Sequence, residues 1–179
     1  MGCCSPSNHW VTVFLLDQLH FVLAFVALLG SGLIAGVFFA FSAFVMKALV
    51  RLPPADGMAA MQSINITVLN PWFLGVFLGT AVICVLLLAW TLLLWNQNGS
   101  MYLIMGSTFY LIGSVMVTSI FNVPKNEALA KVNASAVDSD RLWQSYVDKW
   151  TKWNHVRTVA SILAMTCFGL WINKSGFPY

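Results

Sequence analysis

Charge is scarce in this chain. Nine Lys or Arg and six Asp or Glu make up 8% of 179 residues, where a soluble domain carries about 25%. So few ionic groups cannot clothe a water-facing surface, which excludes an ordinary soluble enzyme, and no nucleic acid is expected as a partner. Cysteine is sparse too. Cys3 and Cys4 sit near the start, and Cys84 and Cys167 lie in the middles of apolar runs, which is neither a disulfide framework nor a metal-ligand spacing. Cys84 and Cys167 fall at similar depth and could touch, but a buried thiol usually serves as a small apolar side chain. There is no Gly-rich phosphate loop, no Ser-His-Asp arrangement and no close carboxylate pair. Solenoid repeats and low-complexity tracts are missing, and no cleavable signal is expected, because the first apolar run is too long and lacks a basic front.

Apolar length is what the chain has instead. It is 59% hydrophobic with a mean hydropathy of +0.80. Four segments carry that weight: Leu19–Leu49, Trp72–Trp95, Met101–Phe121 and Trp153–Ile172. Each is near or above the roughly 20 residues that cross a hydrocarbon core as helix. The fold expected is an all-α integral membrane four-helix bundle, a single domain over residues 19–172 with an N-terminal segment 1–18 and a tail 173–179, and the lipid bilayer is its first partner. Lys47 and Arg51 follow the first span, and Lys125, Lys131, Arg141, Lys149 and Lys152 precede the fourth, while the N-terminal segment and the second loop hold no Lys or Arg. The positive-inside rule then places loops 1 and 3 in the cytoplasm and the termini opposite. Met1-Gly2-Cys3-Cys4 hints at lipidation, but Pro6 stands where the acyl-transferase pattern wants Ser or Thr. Lipidation also happens on the cytoplasmic face, so the charge bias outweighs it. The sequons at Asn65, Asn98, Asn133 and Asn173 lie close to the membrane or on the side read as cytoplasmic, and are discounted as glycosylation sites.

Along the first span, Gly32, Gly36 and Ala40 form a small-residue row that lets another helix approach, including one from a second copy of the chain. Phe38, Phe39, Phe41 and Phe44 either line a cavity for a flat apolar ligand or meet lipid. Pro53-Pro54 starts a short interfacial helix through Met58, Met61, Gln62 and Asn65. Asn70-Pro71 supplies a cap and a first-turn Pro for span 2, and the turn at Asn96–Ser100 makes spans 2 and 3 antiparallel neighbours. In span 3, Tyr110, Ser114, Thr118 and Asn122 recur every four residues and should look inward. Asn122-Val123-Pro124 is expected to end that helix, with Asn126 capping a brief one over Glu127–Val132. From Asp138 an amphipathic helix leads into span 4, and Trp143, Tyr146, Trp150 and Trp153 fit an interfacial belt.

In this topology Asn65, Asn122, Asn126, Asn154, His155 and Arg157 gather in one layer above an aromatic hollow, with Thr118 and Tyr110 on the same inward row. Polar groups over an apolar cavity are the expected shape of a small-molecule site. The layer permits proton abstraction from an acidic C–H, with His155 as base and Arg157 plus Asn amides stabilising the oxyanion. Nothing in this chemistry requires a metal, and no cofactor is expected. His9 and His20 lie at the far membrane face, roughly 30 Å away. Each residue also has a plainer reading: His155 as interfacial, Arg157 as snorkelling to phosphates, Asn122 and Asn126 as helix stop and cap. The signal is their co-location.

Four blocks in order, Gly30-Ser31-Gly32-Leu33-Ile34-Ala35-Gly36-Val37-Phe38-Phe39-Ala40-Phe41-Ser42, Met61-Gln62-Ser63-Ile64-Asn65, Phe121-Asn122-Val123-Pro124-Lys125-Asn126 and Trp150-Thr151-Lys152-Trp153-Asn154-His155-Val156-Arg157-Thr158, together resemble the anthrone oxygenase-like family of small four-span membrane proteins. The resemblance implies an oxidoreductase that converts an anthrone to an anthraquinone with molecular oxygen, in fungal polyketide pathways, without an established metal or flavin. Lys47 and Lys125 depart from the family pattern, which leaves the fold safe and the substrate open. The reading that follows is an anthrone oxygenase-like membrane oxidoreductase, a monooxygenase acting on a planar phenolic or ketonic substrate. The alternatives are a non-catalytic binder or carrier of lipophilic small molecules and an accessory membrane subunit.

Overall fold

The computed structural model describes residues 6–93, 99–133 and 139–175. Those residues are helical with no strand among them: α1 (Pro6–Ala40), a π-helical segment Phe41–Val45, α2 (Met46–Val50), α3 (Pro54–Thr67), α4 (Pro71–Leu93), α5 (Ser100–Thr108), π-helical segments Phe109–Met116 and Thr118–Asn122, α6 (Val123–Ala130) and α7 (Ser139–Lys174). Four stretches are long and apolar enough to cross a membrane, Phe14–Val50, Pro71–Leu93, Ser100–Ala130 and Ser139–Lys174, so the chain is an all-α multi-pass bundle. The lipidation motif and Asn98 of the expected turn lie outside the described residues, as do Asp138 and the last four residues.

Local chemistry sets several boundaries. The Asn70 side chain accepts the Phe73 amide at 3.0 Å with Pro71 in the first turn, so α4 starts where the cap and the Pro coincide. Gly99, at φ 88°, turns the chain into α5 through a left-handed conformation. α7 runs unbroken for 36 residues, about 54 Å at 1.5 Å per residue. That exceeds a hydrocarbon core of about 30 Å, and its first turns expose Asp140, Arg141, Asp148, Lys149 and Lys152.

The expected break at Asn122–Pro124 does not occur. Asn122 is helical, at φ −89° and ψ −44°, and makes no capping bond, and Asn126 lies inside α6 rather than before it. Proline disrupts an α-helix by colliding with the carbonyl four residues back, and the π-helical turn over Thr118–Asn122, with its longer hydrogen-bond span, moves that carbonyl aside. The wide turns also take up the drift of a four-residue row around a helix of 3.6 residues per turn. Tyr110, Ser114 and Asn122 are accordingly all buried.

Two hydrophobic cores result. One fills the bundle with Ala24, Ala27, Ile34, Cys84, Leu87, Leu103, Ala164, Phe168 and Trp171 among others, and here Cys84 and Cys167 are buried free thiols. The other lies at the α3 end, where Met46, Leu49, Met58 and Met61 meet Leu129, Trp143, Tyr146 and Trp150. The expected aromatic belt is therefore corrected. Trp143, Tyr146 and Trp150 are buried against α2 and α3, and Trp153 stacks on Phe121 at 3.6 Å. Of the small-residue row, Gly32 is met by Met165 Sδ of the same chain at 3.0 Å from an added Cβ, and Gly36 faces open space.

Candidate functional site

At the α3 end the four crossings do not close on one another, and a cavity of about 560 Å³ lies between them, within the usual range of ligand pockets. Phe38 and Phe41 from the first span and Phe73 and Phe77 from α4 form its aromatic floor. Met61, Gln62 and Asn65 of α3 roof it, Thr118, Asn126 and Glu127 come from the third crossing, and Trp150 and Arg157 from α7. Tyr110 lies beneath this floor, its hydroxyl donating to the Phe77 carbonyl at 3.0 Å.

Arg157 is the charged group inside. It is 5% exposed and lines the cavity. Its Nη1 donates to Thr118 Oγ1 at 3.2 Å and its Nη2 to Asn154 Oδ1 at 2.6 Å. The guanidinium lies 4.1 Å over the Phe38 ring and 5.2 Å from that of Trp150. Among the described residues no carboxylate pairs with it, the one ion pair being Lys152 with Asp148 at 3.9 Å. Rings and neutral dipoles hold this cation, which leaves its charge for something else to neutralise.

Asn154 is the anchor of the network. Its Nδ2 donates to the Phe38 carbonyl and to Ser42 Oγ, each at 2.8 Å. Ser42 is 3.1 Å from Thr158 Oγ1, and Thr158 donates back to the Asn154 carbonyl at 2.8 Å. Every polar atom of that side chain is thus used, and the Arg157 fork is fixed in place. Asn122 repeats the device from the third crossing, donating to the Trp150 carbonyl at 3.3 Å. Gln62 of α3 donates to the Leu129 and Val132 carbonyls at 2.8 and 3.0 Å, tying the roof to α6.

Two buried N–H donors of wall residues have no acceptor: Arg157 Nε and Trp150 Nε1. The Asn65 amide stands beside the Tyr146 hydroxyl, which donates to Asn126 Oδ1 at 2.9 Å and keeps its oxygen lone pairs for Asn65. Buried donors left single in a native fold ask for a reason, and an oxygen-bearing ligand supplies one. No three His, Cys, Asp or Glu among the described residues gather in a way that could hold a metal ion.

Asn65, Thr118, Asn126 and Arg157 thus line the cavity, while Asn122, Asn154 and Tyr110 lie behind it. His155 does neither. It is exposed on the opposite face of α7, because a residue next to Asn154 is turned about 100° round the helix, and this turn carries it outward. The grouping expected from the sequence is corrected at that residue. Sequence reasoning passed over Gln62, Ser42 and Trp150 as parts of the site. Trp150 had a signal, lying one helical turn before Asn154, but it was read as belt.

A family model for anthrone oxygenase matches residues 72–167, from the head of α4 through Arg157 and most of α7, leaving α1 and the α3 roof outside. No curated protein and no solved structure matches the chain. With more than half its length matched, and with Asn122, Asn126, Asn154 and Arg157 inside the match, the chain belongs to the anthrone oxygenase family.

Proposed function

We propose that this protein is a membrane oxidoreductase that oxidises a planar phenolic or ketonic substrate with molecular oxygen, at the cavity beneath α3. The observation that carries the reading is Arg157: a buried cation without a carboxylate, on the wall of an aromatic cavity, its Nε and the nearby Trp150 Nε1 lacking acceptors. Such a group favours a ligand whose oxygen becomes negative during reaction. A preorganised donor in a low-dielectric site stabilises that charge far better than water does.

A flat ring system between Phe38, Phe73 and Phe77 would place its ketone or phenol oxygen at Arg157, with the Asn65 amide close by. Loss of a proton from the C–H2 across the same ring, conjugated with that oxygen, then gives an enolate-type anion whose charged oxygen pairs with the guanidinium. Oxygen takes up the electron pair at carbon to form a peroxide, and loss of water, with the second hydrogen, leaves a carbonyl. One O2 is consumed per C–H2 oxidised; one atom enters product and the other leaves as water. His155 cannot serve as the base from its outward position. The one carboxylate on the wall is Glu127 at the rim, and we assign it the release of the proton to the outside. We take that outside to be the cytoplasm, the side that the excess of Lys and Arg at this end favours.

The outward His155 also favours the second reading, a carrier that holds such a molecule without changing it. Oxygen uptake by purified protein in lipid nanodiscs given 1,8-dihydroxyanthrone separates the two. The expected result is one O2 consumed per anthraquinone formed. Saturable binding without oxygen consumption above that of empty nanodiscs would leave the carrier.

A further inference from the structure

Spans 2 and 3 are joined at one end and parted at the other. α4 packs against α5 and Phe109–Met116 but makes no more than grazing contact with Thr118–Asn122 and α6. Residues facing this gap line the cavity and reach the outside at once: Leu78 is 51% exposed and Val123 39%, with Ile66 and Leu69 exposed beside them. Gly75 and Gly79 of α4 have open space where a side chain would stand.

The depth of the gap identifies its surroundings. Trp72, at the head of α4, is 87% exposed and suits the interfacial zone that tryptophan prefers. Leu78 lies about 9 Å further along the helix axis at 1.5 Å per residue, so the gap opens in the outer part of the hydrocarbon core, onto acyl chains. Across the cavity stands the polar wall of Arg157, Asn65 and Asn126. The site is two-ended, with an anion-holding end inside and an apolar mouth on lipid.

We infer that the substrate is an amphiphile: an aromatic ring bearing an acidic oxygen, held at Arg157, with an alkyl or prenyl chain that leaves between Leu78 and Val123 into the bilayer. The ring rests on the function proposed above, whereas the slot rests on the parting of the two spans. A ring system and the first carbons of a chain share the cavity, and the rest of the chain needs no pocket. Discrimination therefore acts on the ring and on the chain where it crosses the slot, and chain length beyond the slot is not read.

The test uses the full chain in phosphatidylcholine nanodiscs with 6-decyl-2-naphthol carrying a diazirine at the third carbon of its chain, where the chain would cross the slot. Ultraviolet activation is expected to label peptides containing Leu78 or Val123, with the label competed by excess unlabelled naphthol and reduced about tenfold or more in Arg157→Gln. A competable label confined to α1 and α7, or no competable label, overturns the slot. The double variant Leu78→Trp with Val123→Trp should slow association of the decyl probe at least tenfold at an unchanged melting temperature; an unchanged rate in a protein that still melts cooperatively places access elsewhere and also overturns it. Oleate displacing the probe more effectively than the unlabelled naphthol does would replace the ring by a fatty carboxylate. If 1,8-dihydroxyanthrone is oxidised while the decyl probe leaves no competable label, this inference fails and the proposed oxygenation stands. The reverse pattern, slot labelling without oxygen uptake, retains the slot and removes the oxygenation.

Discussion

The two ends of the bundle are packed on different principles. Toward Gly99, helices touch through small residues and rings. An added Cβ on Gly106 would sit 2.9 Å from the Phe168 ring, those on Gly30 and Gly113 would collide with Thr80 and Ala160, and His20 lies between Trp90 and Trp171 at 5.2 and 5.3 Å. Toward α3, side-chain amides on Asn122, Asn154 and Gln62 span from one helix to a main-chain carbonyl of another. In membranes close approach yields dispersion contacts, while polar side chains act as ties. Dispersion contacts leave no gap; amide ties hold helices at a set distance and let a cavity persist between them.

The largest effect that would sharpen this contrast is at Arg157. Arg157→Gln is expected to lower anthrone turnover about 100-fold or more, the scale of losing one preorganised oxyanion donor, with the protein still folded, since it also removes a costly charge. Oxygen uptake and thermal melting in detergent, read together, check this, and wild-type turnover in the variant would break the site assignment. Next in size is Gly113→Leu in the tight end, where the added bulk meets Ala160 and overpacking costs about 1–3 kcal/mol. Ligand affinity should hold at temperatures below its lowered melting point. Asn154→Ala should cost about 1–3 kcal/mol through the groups it leaves unpaired and also weaken naphthol binding, because the Arg157 fork loses its 2.6 Å partner. A variant that melts lower but binds as before would show that Arg157 holds its position unaided. The smallest effect belongs to His155→Ala. From an exposed position it should change neither turnover nor melting, and lost activity would restore imidazole to the chemistry.

Much of the architecture was legible because bilayer thickness and cap chemistry act locally: four apolar lengths and the Asn70-Pro71 signal suffice for the crossings. The inward row through Tyr110, Ser114 and Asn122 was legible for the same reason, as was the co-location of Asn65, Asn126, Asn154 and Arg157. What the residues hid is non-local. Pro124 reads as a stop because its cost in an α-helix is known, whereas the wide turn that absorbs it depends on neighbours packing against Thr118–Asn122. His155 and Arg157 look equivalent as neighbours in sequence, and only the rotation of α7 against the first span separates the buried cation from the exposed imidazole. Tryptophan near a span end suits headgroups and protein alike, and a packed α3 decided between them.

The acceptors of Asn154 and Asn122 are the carbonyls of Phe38 and Trp150. Main-chain oxygen is common to all twenty amino acids, so both cross-helix links survive any replacement at positions 38 and 150 that leaves the backbone in place. Ring size and polarity of the hollow can therefore drift toward new molecules while the frame around it stays put, and the two asparagines share with Gln62 the burden of keeping it.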